Sequence, residues 1–472
     1  MLLRRLYEDA LAQAGWLVGC TRTKTALVVD PNRDVERWLE AARAEGMRIT
    51  HVTETHIHAD FVSGAPELAR RAGARLLLSA EGDAAWQYAF AEAAGAQLLR
   101  DGDTFAVGDV RVDVRHTPGH TPEHLTFLVT DTATGEAPVG AITGDFIFVG
   151  DVGRPDLLER AAGEAGTMEV GARRLFASLR RFLAEQPDWL QLWPGHGAGS
   201  ACGKALGALP STTLGYERRT NWALSVEEEA DFVRQVLAGQ PAPPTYFARM
   251  KTVNRAGPPP APAAFDAPPA VSPDSAPAGG SGGGAGAMLL DLRPTAAFAA
   301  GHLEGAVHLP LNRSFATWAG WLVPADRDVV LVADEAMARE AVRTLALIGV
   351  DRVVGRIDPP VLQGRPLAAM PTMTPAELAA RRGEPALHVI DVRNAAEWEA
   401  GHMPGVPNIP LGELPARLAE IPRDGTVVLH CQGGSRSAIA ASLLEASGLT
   451  GAVNLEGGFG RWMAEGQAVE RP

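Results

Sequence analysis

The sequence predicts an α/β protein built of several domains, and three features carry that prediction. In the first half, apolar runs with strand character, TALVVD, RITHVTETH, VRVDVRHT and HLTFLVT, alternate with amphipathic stretches such as DVERWLEAARAEG and APELARRAG. Residues 257–287, GPPPAPAAFDAPPAVSPDSAPAGGSGGGAGA, then break the pattern with proline and glycine. Beyond them the chain repeats itself: DLRPTAAFAAGHLEGAVHLPL from Asp291 returns 100 residues later as DVRNAAEWEAGHMPGVPNIPL from Asp391. With 472 residues, 46% hydrophobic and 21% charged, there is material for two to four soluble cores.

Taken in order, the N-terminus MLLRRLYEDALAQAGWLVG carries acids early and no sustained apolar core. Neither a signal peptide nor a spanning helix is supported there, so a cytoplasmic location and no membrane partner are expected. Residues 1–256 are read as one domain. Residues 257–287 are read as a linker, stiff in its Pro-rich half and flexible in its Gly-rich half, tethering the units on either side. In each copy of the repeat an apolar run such as LHVID predicts a buried strand, followed by a helical turn and a GH loop. DVVLVA at Asp328 and TVVLHC at Thr426 predict further strands, each ahead of a helix. Residues 288–366 and 373–472 are thus two small α/β domains with mostly parallel sheets. The net charge of -13 and the lack of a basic stripe exclude nucleic acid as a partner. Three cysteines, Cys20, Cys202 and Cys431, are too few and too far apart for a disulfide framework or zinc cluster, so each is judged as a single thiol.

Seven of the twelve histidines lie between His51 and His196, several where a strand gives way to a loop. The densest group is Thr55-His56-Ile57-His58-Ala59-Asp60-Phe61, whose i, i+2 spacing on extended backbone aims both imidazoles to one side, as a metal site requires. His120 in HTPGHTPEH, Asp145 in TGDFIFVGD and His196 in WPGHGAG are the other candidate ligands.

These motifs, in this order, resemble the metallo-β-lactamase superfamily, whose members carry HxHxDH, GH, GD and PGH on an αββα sandwich; the resemblance covers about residues 1–250. Position 61, a histidine in the hydrolases of that superfamily, is phenylalanine here. A phenyl ring has no lone pair, so a second metal that would also use Asp60 and His196 is short of a ligand. Two imidazoles and one carboxylate remain, a set that leaves open positions on ferrous iron. The resemblance to the persulfide dioxygenases of the superfamily implies one Fe(II) per chain on His56, His120 and Asp145, and insertion of O2 into a thiol persulfide to give sulfite. His58, Asp60 and His196 are then expected to orient ligands or simply to pack. Arg154, in DVGRPD, is expected either to pair with a carboxylate of the thiol carrier or to be structural. Cys202, in a Gly-rich loop after PGH, is expected near the mouth of the site, where it could relay a persulfide; Cys20 is read as a buried or edge residue. Residues 246–258, YFARMKTVNRAGP, are expected to pack on the first domain, and resemble the tail of dioxygenases fused to sulfurtransferases.

In VVLHCQGGSRSAIAASLLEASG, Cys431 directly follows an apolar strand and sits in a Gly-bearing loop that runs into a helix. Backbone N–H groups of such a loop, the helix N-terminus and Arg436 all favour a thiolate or persulfide. This CxxGxRS pattern, with Gln432, Gly433, Gly434, Ser435 and Ser437 forming the loop, resembles the rhodanese sulfurtransferases, as does DVRNAAEWEAGHMPGVPNIPL upstream. Phosphatases space the two residues as CxxxxxR, one residue wider. Asp391 and Arg393 are read as structural. The first copy has Ala333 where the second has Cys431, and lacks the Gly-Gly and the arginine, so residues 288–366 are expected to be an inactive rhodanese-homology domain.

The full order resembles bacterial persulfide dioxygenase-sulfurtransferases of sulfide detoxification, which implies a small thiol persulfide of the glutathione, coenzyme A or bacillithiol type, O2, sulfite and thiosulfate as partners, and a homo-oligomer. The alternatives are a glyoxalase II-like dinuclear zinc thioester hydrolase fused to a sulfurtransferase, and a non-enzymatic persulfide carrier or sensor.

Overall fold

The computed structural model describes residues 1–162, 166–262, 264–275 and 286–471. Residues 1–263 with 346–349 form one unit, and 264–345 with 350–472 the other.

The first unit contains two six-stranded sheets. One is formed in chain order by β1 (Leu2–Glu8), β2 (Gln13–Cys20), β3 (Thr25–Val29), β4 (Arg48–Thr53), β5 (Arg75–Ser79) and β6 (Gln97–Leu99). The other runs from β7 (Thr104–Val107) through β8 (Val110–His116), β9 (Leu125–Asp131), β10 (Gly140–Gly144) and β11 (Gln191–Pro194) to β12 (Thr212–Thr213). Alternation along the strands explains why the two stack. In β3, Leu27 and Val29 meet Val112, Val114, Phe127 and Val129 of the second sheet, while Ala26 and Val28 face the other way, onto Val35, Trp38 and Leu68 of the helices Val35–Ala44 and Ala65–Ala72. Leu128, Ala141 and Leu192 pack outward on Leu175, Leu179 and Phe182 of the helix Thr167–Glu185 and on Phe232 and Val236. Three apolar layers thus give the expected αββα sandwich. Every strand and helix named from the sequence in this half is present.

The second unit holds two four-stranded, all-parallel sheets, one for each copy of the repeat. Their strands are β13 (Met288–Asp291), β14 (Val307–His308), β15 (Val329–Val332) and β16 (Val353–Ile357) in the order β14-β13-β15-β16, and β17 (Thr372–Met373), β18 (Leu387–Asp391), β19 (Thr426–His430) and β20 (Val453–Leu455) in the order β17-β20-β19-β18. The copies agree in detail. Arg293 and Arg393 each grip the aspartate two residues earlier and donate to a glycine carbonyl, Gly301 O and Gly401 O, at 2.8 Å. His302 and His402 each stack at 3.8 Å on an aromatic ring four residues earlier, Phe298 and Trp398.

The segment expected to be a linker, residues 257–287, contains a strand position. Val271 N donates to Arg356 O and Arg356 N to Pro269 O, a parallel bridge of Ala270 along the edge of β16. The same edge in the second copy is occupied by β17 on β20. Residues 269–271 are therefore the first strand position of the first repeat, and Asp274 pairs with Arg365 beyond them. A proline-rich segment can occupy an edge because an edge strand leaves half its N–H groups unused by the ladder. The Gly-rich residues 276–285, expected to be flexible, lie outside the described residues.

Candidate metal centre and sulfur-transfer loop

The ends of β4, β10 and β11 and the loop before β9 bring four predicted residues to one place in the first unit. His56, His120 and Asp145 are buried, with ligating atoms all within 4.8 Å of one another. Each imidazole is fixed by a hydrogen bond at Nδ1. Thr55 Oγ1 donates to Asp30 Oδ2 and so accepts from His56 Nδ1–H at 3.0 Å; His120 Nδ1 donates to Arg154 O and His196 Nδ1 to Ala12 O, both at 3.0 Å. That leaves the Nε2 lone pairs free. His120 Nε2 lies 3.4 Å from Asp145 Oδ2, and His196 Nε2 lies 3.5 Å from Oδ1 and 3.3 Å from Asp60 Oδ2. Burial, together with neighbouring imidazoles, holds His56 and His120 below the usual histidine range, which keeps them neutral donors. Both carboxylate oxygens of Asp145 and Oδ2 of Asp60 are buried without a hydrogen-bond donor. Buried oxygens without donors beside converging nitrogen lone pairs are what a cation would satisfy, so the donor set fits a metal.

His58 is placed differently. Its ring is 4.2 Å from that of His56, but its Nε2 is bonded to Asp30 Oδ1 at 3.0 Å and its ring lies 4.3 Å from that of Phe61, tilted by 32°. Burial opposes its charge, yet Asp30, Glu54 and Asp60 outweigh it and raise its pKa to about 9. With its Nε2 taken by Asp30, His58 stands outside the group formed by His56, His120 and Asp145 and is a neighbour of the centre. Asp60 and His196 form a second group with Cys202, again with ligating atoms within 4.8 Å. Cys202 is therefore inside the site and buried rather than at its mouth; burial first, then Asp145 and Asp60, push its thiol well above the usual range. Arg154, one of whose expected roles was to meet a substrate carboxylate, is fully buried with its guanidinium in a two-point pair with Asp156 at 2.8 Å and a bond to Ala201 O. Its guanidinium is thus committed within the protein, and its carbonyl is the part that serves His120. Cys20 closes β2, buried against Asp109.

Several contributors went unread in the sequence. Asp30, in the left-handed region at φ 54°, accepts from Thr55 N, Thr55 Oγ1 and His58. His124 accepts from Asp145 N at 3.1 Å, and Glu123 from Ile57 N at 2.7 Å. From the helix Tyr246–Ala256, Tyr246 donates to Asp60 O, and Asn254 spans His58 O, Phe61 O and Ser63 N. The expected packing of this segment on the first domain thus takes the form of a brace for the ligand loop. Glu123 and His124 lie in HTPGHTPEH, and Tyr246 and Asn254 in YFARMKTVNRAGP, but none of the five shows its partner, which is distant in sequence.

In the second unit, β19 delivers Cys431 into the loop of Gln432, Gly433 and Gly434, and the helix Ser435–Ala446 starts there. Gly434 N donates to Cys431 Sγ at 3.1 Å, with the glycine at φ 96° as this turn demands. Ser437 Oγ lies 3.5 Å from the sulfur but donates at 2.7 Å to Asn454 Oδ1, while Asn454 Nδ2 holds Gly434 O. Phe459 N and Gly460 N donate to the carbonyls of Cys431 and Gln432, an approach so close that a Cβ on Gly458 would stand 2.2 Å from Cys431 O. Arg436 differs from expectation in one respect: Glu397 takes both its terminal nitrogens, at 2.6 and 2.7 Å, so its charge is largely balanced. In the first copy Ala333 follows β15 and the helix Glu335–Leu347 begins two residues later, against four after Cys431. No loop of comparable length exists there to cradle a sulfur.

The class defined by this fold and site is a metal-binding αββα enzyme continued by rhodanese-like domains. Residues 9–196 match the Metallo-beta-lactamase superfamily, and residues 280–358 and 374–465 each match the Rhodanese-like domain. A solved metallo-beta-lactamase from Staphylococcus aureus subsp. aureus COL is 39% identical with TM-score 0.67, over 75% of this chain and 98% of that one. "Persulfide dioxygenase ETHE1, mitochondrial" of Bos taurus is 28% identical over 200 residues, 42% of this chain and 68% of its own. A "Probable metallo-hydrolase" of Burkholderia pseudomallei is 31% identical over 179 residues, 35% of this chain and only 56% of its own length. The chain belongs to the metallo-beta-lactamase superfamily, in a form that has persulfide dioxygenase homologues and carries two rhodanese-like domains. Among the described residues no helix is long and apolar enough to cross a membrane.

Proposed function

We propose that the chain oxidises the terminal sulfur of a small thiol persulfide at one iron held by His56, His120 and Asp145, and transfers sulfane sulfur through Cys431 to the sulfite formed. The observation that carries this reading is Phe61: a buried phenyl ring stands at the motif position of a second metal's histidine, while His56, His120 and Asp145 bring their ligating atoms within 4.8 Å of one another. Iron would supply the electron transfer that allows dioxygen to react with sulfur. The chain's own residues fix the donor nitrogens of His56 and His120 through Thr55 and the Arg154 carbonyl.

The first reaction balances as R–S–SH + O2 + H2O giving R–SH, sulfite and two protons: the outer sulfur loses four electrons and dioxygen gains them. In the second, sulfite attacks the outer sulfur of a Cys431 persulfide, the S–S bond to Sγ breaks, and thiosulfate leaves with Cys431 as thiolate. Use in sulfide detoxification in the cytoplasm follows as part of the same proposal, with glutathione, coenzyme A or bacillithiol as the type of carrier.

A second reading has one observation behind it. Cys202 stands with Asp60 and His196 where a second cation would sit, and a thiolate could replace the missing histidine to make a dinuclear hydrolase. Metal analysis with oxygen uptake decides between them. About one iron per chain with O2 and persulfide consumed in equal amounts supports the oxidation; two zincs with thioester hydrolysis and no oxygen uptake overturns it.

A further inference from the structure

The nucleophile of the second repeat is not walled by its own domain alone. A cavity of about 340 Å³ opens beside Cys431, with Arg436 and Ile439 on one side and Leu309, Phe315 and Trp318 of the first repeat on the other. The first repeat is seated firmly there. His308 N donates to Ser442 Oγ at 2.9 Å, His302 Nε2 meets Glu445 at 3.1 Å, and the Trp321 ring lies so close to Gly412 that a Cβ there would be 2.6 Å from it. The helix Ser435–Ala446 is consequently buried on nearly all its faces.

We infer that the inactive repeat selects the sulfur donor of Cys431, and that this donor is an organic persulfide whose carbon body rests against Trp318, Phe315 and Leu309. This rests on the proposal that Cys431 is the sulfur-transfer nucleophile and adds what loads it. Two observations argue for an organic body rather than inorganic thiosulfate. Cavities of about 300–1,000 Å³ suit organic ligands of substantial size, far more than a five-atom dianion fills. Arg436 is the one charged side chain among the lining residues, and Glu397 already balances it, so a dianion would meet little net positive charge while an apolar group would meet an aromatic and aliphatic wall. Asn312 and Ser314, also in the lining, offer polar contacts for amide or carboxyl groups of the body.

The loading step is an exchange without net oxidation. Cys431 Sγ bonds to the outer sulfur of R–S–S⁻, the S–S bond to R breaks, and the cysteine proton passes to the departing thiolate to give R–SH and the Cys431 persulfide. Departure of R–SH leaves the outer sulfur of the Cys431 persulfide open to attack by the acceptor.

The test uses the full chain without oxygen, so that the first site consumes no persulfide, with cyanide as acceptor and thiocyanate as the readout; the rate of Cys431→Ser is subtracted as background. Donors are glutathione persulfide and thiosulfate. Trp318→Ala is expected to lower kcat/KM for glutathione persulfide about ten-fold, mostly through KM, and to change that for thiosulfate by less than about two-fold, with Trp318→Phe recovering most of the loss. Equal losses on both donors, or no loss on the persulfide in a variant of unchanged melting temperature, would overturn the inference. A Cys431→Ser chain that turned over as fast as the parent would instead sink the underlying assignment of the nucleophile.

Discussion

The phenyl ring of Phe61 is fully buried and lies 4.3 Å from the ring of His58, whose Nε2 is turned to Asp30. Replacing it by histidine restores the motif position at which the superfamily's hydrolases hold a second metal, so Phe61→His is expected to raise bound metal from about one ion per chain towards two and to depress oxygen uptake; elemental analysis of the purified variant checks this. A second residue-scale expectation concerns acid stability in the rhodanese-like unit. Burial is the main reason that His430 and His308 both sit at about pKa 4, although Asp391 and Asp291 respectively pull the other way. Both are neutral when folded and gain a proton more readily when unfolded, at about 6.5. Their contribution to stability is therefore complete above that value and is lost as pH falls from about 6.5 through about 4, by as much as ~3 kcal/mol for each. Hydrogen exchange of β15 and β19 in the full chain should accelerate across that window. His430→Leu should flatten its share of the dependence, and an unchanged slope would show that the group does not titrate as described.

Among the elements, the helix Tyr246–Ala256 shows why placement could be anticipated and purpose could not. Its sequence announced a segment packed on the first domain, but a lone Asn254 gives no sign that it will span the three backbone groups that hold the His58–Phe61 turn. Asn254→Ala removes those bonds at a buried position and is expected to cost about 3 kcal/mol in stability and to weaken metal retention roughly ten-fold, measured by chelator competition. In the rhodanese loop the sequence spoke more plainly, because a Cys-x-x-Gly turn between strand and helix is a local pattern and locality is what a sequence displays. What it hid is again distant: Gly458, whose missing Cβ lets Phe459 N reach Cys431 O. Gly458→Ala is expected to abolish sulfur transfer while oxygen uptake persists. The strand at residues 269–271 is hidden for a related reason, since proline density signals an open chain, whereas pairing with the edge of β16 takes only two backbone hydrogen bonds, one donated by Val271 and one accepted by Pro269.

At the scale of the whole chain, the αββα sandwich and the two repeats were legible because alternating burial and a 100-residue periodicity are written along the backbone, while which domain walls which site was not. The two proposed chemistries draw on disjoint residues, and this sets the most demanding expectation. His120→Ala removes an imidazole fixed by the Arg154 carbonyl and leaves Asp145 with one nitrogen partner fewer; iron content, oxygen uptake and sulfite formation should all fall by at least about a hundred-fold, with thiocyanate formation from Cys431 unchanged. Cys431→Ser should do the reverse, consuming oxygen at the parental rate while sulfite accumulates and no thiosulfate forms. Mixing the two variants supplies sulfite from one and the transferring thiol from the other. If the sites communicate only through dissolved sulfite, the mixture restores thiosulfate at a rate that rises with sulfite concentration and approaches the parental rate once sulfite saturates Cys431; loss of both activities in either single variant of unchanged melting temperature would show instead that the two sites act as one.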